Sequence, residues 1–403
     1  MKLPTSLAAL SLLGLSLAAP GSSEHRGGRG GWRKQQPPLL TNVTVFDPPD
    51  NYTVPRTLYA RVRSLECEKG TLLATWENYL PTDNPEETCP NNCPINPYMP
   101  IYQSLDQGVT WSERSKVYDQ VNGWGLRYQP ELYEMTEQVG DYPKGTLLLA
   151  ANSIPADLTV TKIDVYASRD KGYTWEFVSN VAIGGFALPN NDLEPIWEPS
   201  LLTYNGEIVL YYSDQREPEG QNNTLGQKMV HQTSSDLLNW GPVVDDIHYA
   251  NNTWRPGMPI VSHLPDGNWI MTYEFYGAEE YAFAVYYRVS DSPLTFDDKE
   301  GVYLNPNDSD VIPHGSPYNV WTPAGGPHGT IVVSDGNNRE LWLNKELGAP
   351  DAWTTCQTPA GSSYTRSLLV LPNDPSRIMI AAGGVLGGQN NSVLVTTIDI
   401  DNC

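Results

Sequence analysis

Two glutamates and one tyrosine have the residue types and settings for chemistry. Glu198 lies in Ile196-Trp197-Glu198-Pro199-Ser200-Leu201, an acid beside an indole in an apolar stretch. Glu274 abruptly ends the hydrophobic run Ile270-Met271-Thr272-Tyr273. Two carboxylates can cleave a glycosidic bond: one protonates the leaving oxygen while the other attacks the anomeric carbon or activates water. Tyr364, in Ser363-Tyr364-Thr365-Arg366-Ser367-Leu368, can donate a hydrogen bond to such a carboxylate. Arg61, Tyr128, Gln129, Trp197 and Arg255 are the candidates for substrate binding, since polar side chains hold hydroxyls and aromatic faces stack on sugar rings. Glu77 and Asp214 are secondary acids, and Trp124, Trp254 and Trp321 are further stacking candidates. An isolated Glu is ordinarily a surface or ion-paired residue, here with Arg255 as a partner, and any one of 23 Tyr is ordinarily packing. The elements that carry these residues decide between the two readings.

Those elements repeat. Ser104 to Trp111 reads S-L-D-Q-G-V-T-W and returns 64 residues later as S-R-D-K-G-Y-T-W, Ser168 to Trp175. Weaker copies close on Trp240, Phe296 and Trp353. Asp bonds backbone amides two residues on, Gly supplies a positive φ, and Thr-x-Trp opens a strand. This is the Asp-box, which turns the outer hairpin of a β-propeller blade, so its Asp residues have no catalytic role. A Gly followed by a hydrophobic run recurs in phase at Gly70, Gly145, Gly206 and Gly267, with Gly329 to Ser334 and Arg377 to Ala382 as the fifth and sixth. Continuously apolar strands are covered on both faces, as stacked blades require. Ahead of each run lies another strand, several with an x-Pro-x start; the fifth is placed at Trp321 to Pro327.

The expected fold is therefore all-β, a six-bladed propeller spanning 39–403. Its ring closes by Thr44 to Val54 pairing beside Ser392 to Asp399. If the first strand of each blade lines the channel, Arg61, Gln129, Glu198, Arg255 and Tyr364 form one ring at its mouth. Glu77, Asn152, Ser213 and Glu274, each seven residues after a second-strand Gly, form another.

Residues 1–19 carry Lys2 and an apolar run from Leu7 to Ala19, the pattern of a secretory signal peptide cleaved near Ala18. Residues 20–38 are Gly-, Arg- and Pro-rich and are expected to be a disordered arm. Beyond residue 38 there are 20 basic against 46 acidic side chains, a net −26, which makes nucleic acid or an anionic membrane a poor partner. A soluble, secreted monomer is expected. Six sequons, at Asn42, Asn51, Asn222, Asn251, Asn307 and Asn390, fit a glycoprotein. Cys89 with Cys93 and Cys356 with Cys403 are the expected disulfides, leaving Cys67 as a thiol; spacing alone does not prove that pairing. The cysteine spacing fits no zinc site and the six His form no H-E-x-x-H, so neither cofactor nor catalytic metal is expected.

At these residues the chain resembles the sialidase superfamily. The Asp-boxes match, as do Tyr59-Ala60-Arg61-Val62-Arg63-Ser64-Leu65 and Tyr364-Thr365-Arg366-Ser367-Leu368; Arg339 lies where a third sialidase Arg falls. Sialidases hold a substrate carboxylate with three Arg and start the fourth blade with Glu-Pro. Here that blade starts Arg255-Pro256 and ends its second strand in Glu274, an acid that would repel an acidic sugar. The closer resemblance is to glycoside hydrolase family 93, the fungal exo-α-1,5-L-arabinanases. It rests on Trp197-Glu198-Pro199-Ser200 and on Arg255-Pro256-Gly257-Met258-Pro259 leading to Tyr273-Glu274, and covers nearly the whole mature chain. The resemblance implies Glu198 and Glu274 as the catalytic carboxylates and leaves open which is the nucleophile; the reading taken is Glu198 as nucleophile and Glu274 as acid/base. The resemblance also implies Tyr364 beside them, retention of anomeric configuration, and plant cell-wall arabinan as substrate. The rivals are a hydrolase of another, acidic sugar, needing Arg61, Arg255 and Arg339 to converge, and a non-catalytic glycan-binding propeller with equivalent sites in every blade.

Overall fold

A computed structural model of the chain describes residues 39–66, 68–81, 97–217 and 226–403. The stretches expected to be a signal peptide and an arm, Cys67, the expected Cys89–Cys93 pairing and the sequon at Asn222 lie outside the described residues.

Short apolar runs cut by Gly, Pro, Asn and Asp favour strands joined by tight turns, and strands are what form. β1 (Val43–Phe46) precedes four strands of blade 1: β2 (Thr57–Ser64), β3 (Leu72–Asn78), β4 (Tyr98–Ser104) and β5 (Ser112–Tyr118). Blade 2 holds β6 (Leu126–Glu134), β7 (Leu147–Ser153), β8 (Thr161–Ser168) and β9 (Glu176–Gly184). Blade 3 holds β10 (Ile196–Tyr204), β11 (Glu207–Asp214), β12 (Lys228–Ser234) and β13 (Val244–Ile247). Blade 4 holds β14 (Arg255–His263), β15 (Trp269–Tyr276), β16 (Ala284–Ser290) and β17 (Val302–Tyr303). Blade 5 holds β18 (Tyr318–Thr322), β19 (Thr330–Ser334), β20 (Leu341–Asn344) and β21 (Trp353–Cys356). Blade 6 holds β22 (Arg366–Val370), β23 (Arg377–Ala382) and β24 (Val393–Asp399), and β1 completes it in the order β1-β24-β23-β22.

Every sheet is four-stranded and antiparallel, a meander in blades 1 to 5, and each innermost strand touches the innermost strands of both neighbouring blades. The ring is thus a closed six-bladed propeller. Closure uses Val43 opposite Val395 and Phe46 opposite Val393. The expected closing segment is correct in place and shorter in extent. The first strand of blade 5 corrects the expectation: it begins at Tyr318, before Trp321, because Ser316-Pro317 is the true x-Pro start.

One apolar cluster fills each junction between blades. Leu73, Met99 and Ile101 meet Leu132 and Leu147 between blades 1 and 2; Tyr211 meets Tyr273 and Phe296 between blades 3 and 4. The outer turns are built as their residue types require. Asp106 accepts from the Thr110 amide (2.9 Å) and hydroxyl (2.6 Å), and Ser104 Oγ accepts from the Gly108 amide at 2.7 Å. Asp170 and Ser168 repeat these bonds with Thr174 and Gly172, and Gly108 and Gly172 have φ of +94° and +90°. Trp175 Nε1 then reaches the Ser115 hydroxyl of the preceding blade (3.1 Å), and Trp240 Nε1 reaches Ser179 (2.9 Å). The second and third turns therefore fasten two blades each, whereas Trp111 Nε1 donates to Gly108 O within its own turn (3.0 Å). Cys356 on β21 is disulfide-bonded to Cys403, tying the chain end to blade 5.

Candidate active site

The inner strands share one irregularity that places the site. In blade 1 Leu58 pairs with Glu77 and Arg61 with Thr75; in blade 2 Tyr128 pairs with Asn152 and Glu131 with Ala150. In blade 3 Trp197 pairs with Ser213 and Ser200 with Tyr211; in blade 4 Gly257 pairs with Glu274 and Ile260 with Thr272. Each of these four inner strands thus carries one extra residue, a β-bulge, at the same height, whereas those of blades 5 and 6 pair without a shift. Inside each bulge lies a residue with positive φ: Tyr59 (52°), Gln129 (55°), Glu198 (63°) and Met258 (62°). Pro130, Pro199 and Pro259 follow the last three. Proline cannot donate to a ladder, so a bulge, where a pairing is already lost, accepts it; Tyr59 holds the same φ with Ala60 behind it.

This register corrects the expected first ring. Glu198 and Gln129 correspond to Tyr59 and Met258, and neither Arg61 nor Arg255 is their counterpart. The second ring stands as expected, because Glu77, Asn152, Ser213 and Glu274 occupy equivalent ladder positions.

A cavity of about 530 Å³ opens at this level, and Glu77, Gln129, Glu198, Arg255, Glu274 and Tyr364 all face it. Tyr128 and Trp197 line it as well, with Tyr79 beside them; ring centroids lie 6.2 Å apart for Tyr79–Tyr128 and 6.5 Å for Tyr128–Trp197. They form one aromatic wall. Arg61 does not line the cavity. It is buried one bulge step away, its Nε 2.8 Å from Glu131, with its guanidinium 4.1 Å from the Tyr59 ring centroid. Burial makes that pairing obligatory, because an unpaired buried guanidinium is expensive. Asp214 is paired with Arg216 at 2.7 Å and also lies outside the lining, as do Trp124, Trp254 and Trp321. Arg339 is exposed elsewhere. The three arginines required to grip an acidic sugar therefore do not converge, and only Arg255 remains, with its Nε meeting no acceptor among the described residues.

The carboxylates are held in different ways. Glu198 Oε2 accepts from the Ser213 hydroxyl (2.6 Å) and the Met258 amide (3.0 Å), and its own N–H donates to Gln129 Oε1 (3.0 Å). Burial raises its pKa, and the Ser213 and Met258 donors oppose that rise by stabilising the anion. Glu274 accepts one amide, from Ser316 at 2.7 Å; burial, reinforced by the Glu198 charge, pushes it up to about 7. Glu77 accepts from Tyr79 Oη (2.8 Å) and the Gln129 amide (2.9 Å), and burial pushes it up to about 7 as well. Among the described residues neither Glu198 nor Glu274 forms an ion pair. Burial and the charges of Glu198 and Glu274 hold the Tyr364 phenol well above its ordinary pKa, so it stays a hydrogen-bond donor. Gly257, opposite Glu274, is where the two acids meet. A Cβ there would sit 2.5 Å from Gln227 Nε2 and 3.4 Å from Glu198 Oε2. One buried carboxylate held by two hydrogen-bond donors beside a second acid pushed up by burial is an arrangement that glycoside cleavage can use.

Among solved structures, the chain is similar to an α-L-arabinofuranosidase of glycoside hydrolase family 93 from Fusarium graminearum, solved with arabinobiose. Identity is 48%, covering 90% of this chain and 99% of that one, with a TM-score of 0.84. An α-L-arabinanase from Penicillium chrysogenum, also solved with arabinobiose, is 49% identical over 91% of this chain and 99% of its own, with a TM-score of 0.83. The chain belongs to glycoside hydrolase family 93. No protein-family model matches it, and no curated protein does. A Streptococcus pneumoniae sialidase, 11% identical over 90% of this chain and 71% of its own with a TM-score of 0.54, shares the fold alone. Several lining residues of this family 93 hydrolase escaped the sequence reading: Tyr79, Gln227, Ser316 and Asn337. Tyr79 carried a signal, since it lies two residues beyond Glu77 at a strand end. Ser316 carried another, the x-Pro start. Gln227 and Asn337 sit on loops between second and third strands, where no period reaches.

Proposed function

We propose that this hydrolase is secreted and releases arabinobiose from the ends of α-1,5-linked L-arabinan with retention of anomeric configuration. Glu198, kept anionic by two donors, attacks the anomeric carbon while Glu274 transfers its proton to the departing oxygen. Glu274, now ionised, takes a proton from water, which displaces Glu198 and regenerates both groups. Tyr364 donates to a carboxylate in this cycle. The observation that carries the reading is the contrast between the two acids in one cavity. A neutral furanose suits a cavity with three carboxyls and a single arginine, and both 48–49% identical relatives were solved with arabinobiose. Secretion rests on the apolar run Leu7 to Ala19 and on the exposure of Asn42, Asn51, Asn251, Asn307 and Asn390 in their sequons.

The test is incubation with linear arabinan, chromatography of the sugars released, and NMR of the first anomer formed. Arabinobiose as the sole early product, with retained configuration, is expected. A ladder of oligosaccharides, an inverted anomer, or full activity surviving Glu198→Gln or Glu274→Gln would refute it.

A further inference from the structure

The cavity has a second aromatic surface, outside it. Tyr276 and Tyr281 are 42% and 48% exposed, and both stand beside the cavity mouth. Both belong to the segment that follows Glu274. Side chains alternate along a strand, so Glu274 and Tyr276 leave β15 on one face, while Tyr273 and Phe275 enter the core between blades 3 and 4. The Tyr276 ring lies 4.9 Å from Phe283, which lines the cavity, and Tyr281 lies 4.8 Å from His314. The segment is held from both ends. Phe283 O accepts from the Gly315 amide at 2.8 Å, and Ala284 bridges to His314. Ser316, two residues on from His314, donates to Glu274. The rim and the acid are thus one rigid unit across blades 4 and 5.

Resting on the functional reading above, we infer that this rim is a binding surface for the leaving portion of the polysaccharide, the sugars beyond the bond being cut. The group that protonates the leaving oxygen must stand on the leaving-group side, and Glu274 is that group. The wall of Tyr79, Tyr128 and Trp197 lies across blades 1 to 3 and takes the sugar that is released. Tyr276 and Tyr281 offer flat apolar faces with polar tips, which suit a neutral furanose chain running outward.

The test compares arabinotriose with arabinohexaose on the full chain. In Tyr276→Ala/Tyr281→Ala the ratio of kcat/KM for the hexaose to that for the triose should fall on the order of fivefold to tenfold, chiefly through KM. Tyr276→Phe/Tyr281→Phe should restore it, because stacking needs the ring alone. An unchanged ratio, or an equal loss on both substrates, overturns the rim and leaves the parent reading intact. Sedimentation of both forms covers the other occupant: a dimer abolished by the alanine pair would assign the rim to self-association and also overturn it. Failure of the unaltered protein to cleave either oligosaccharide would sink the parent reading instead.

Discussion

Replacing Glu274 by Gln should stabilise the protein at alkaline pH and leave it unchanged at acid pH. In the fold the carboxyl is pushed up to about 7 from its ordinary 4.5, by burial and by the charge of Glu198. A raised carboxyl favours the folded state below 4.5, where it is protonated in both states. That advantage is lost as pH rises toward 7, and above 7 the loss is complete. With about 1.36 kcal/mol for each pH unit between the two values, keeping the charge at pH 8 costs the fold on the order of 3 kcal/mol. Gln cannot ionise, yet retains an oxygen to accept the Ser316 amide, so it removes the cost and keeps the contact. Unfolding entropy of roughly 2.1 cal/mol/K per residue over about 365 residues converts this to a rise in Tm of about 4 °C. Differential scanning calorimetry at pH 4 and pH 8 on both forms measures it. Equal Tm at pH 8, or the same offset at both pH values, would refute the argument that Glu274 is held under desolvation strain.

The same carboxyl should set the rate. In the proposed cycle Glu274 carries a proton at the start, so kcat/KM for arabinan oligosaccharides should fall as pH rises through about 7, and Glu274→Gln should cut it by roughly 10²–10⁴-fold; a pH–rate profile flat to pH 9 would contradict the assignment. Arg61→Met should destabilise by about 1–3 kcal/mol, because Glu131 loses its 2.8 Å donor and keeps Arg63 as its remaining partner, while KM of the folded enzyme stays within twofold. Urea unfolding paired with kinetics checks it. A stable variant with a large KM would return Arg61 to the substrate.

The repeat spoke plainly for the fold because its turns are chemically demanding. Asp106 and Asp170 each bond a Thr amide and hydroxyl, and few other residues could do so. The second ring was legible for a similar reason: β3, β7, β11 and β15 run without interruption from a glycine turn, so counting along them arrives at Glu77, Asn152, Ser213 and Glu274. The first ring was harder to read. A bulge adds one residue without changing composition, and counting from apolar positions then places Arg61 at the mouth when its ladder partner is Thr75. Lining residues from loops, such as Gln227 and Asn337, have positions set by loop paths, which hydrophobic periodicity does not describe.

The bulges also bear on why one blade carries the proposed nucleophile. A non-glycine residue held at positive φ costs on the order of 1–3 kcal/mol and persists only where its surroundings over-determine it. Here the cores on either side of every blade supply that constraint. The conformation is common to blades 1 to 4, yet the side chains placed there are Tyr59, Gln129, Glu198 and Met258. One backbone device therefore presents a phenol, an amide, an acid and a thioether at equivalent positions, which is incompatible with a separate, equivalent sugar site in every blade. The neighbours divide the work around the acid. Gln129 fixes the Glu198 amide at 3.0 Å, and Met258 lends its own amide to the Glu198 carboxylate. A strained backbone in blade 4 thus helps to keep the acid of blade 3 charged.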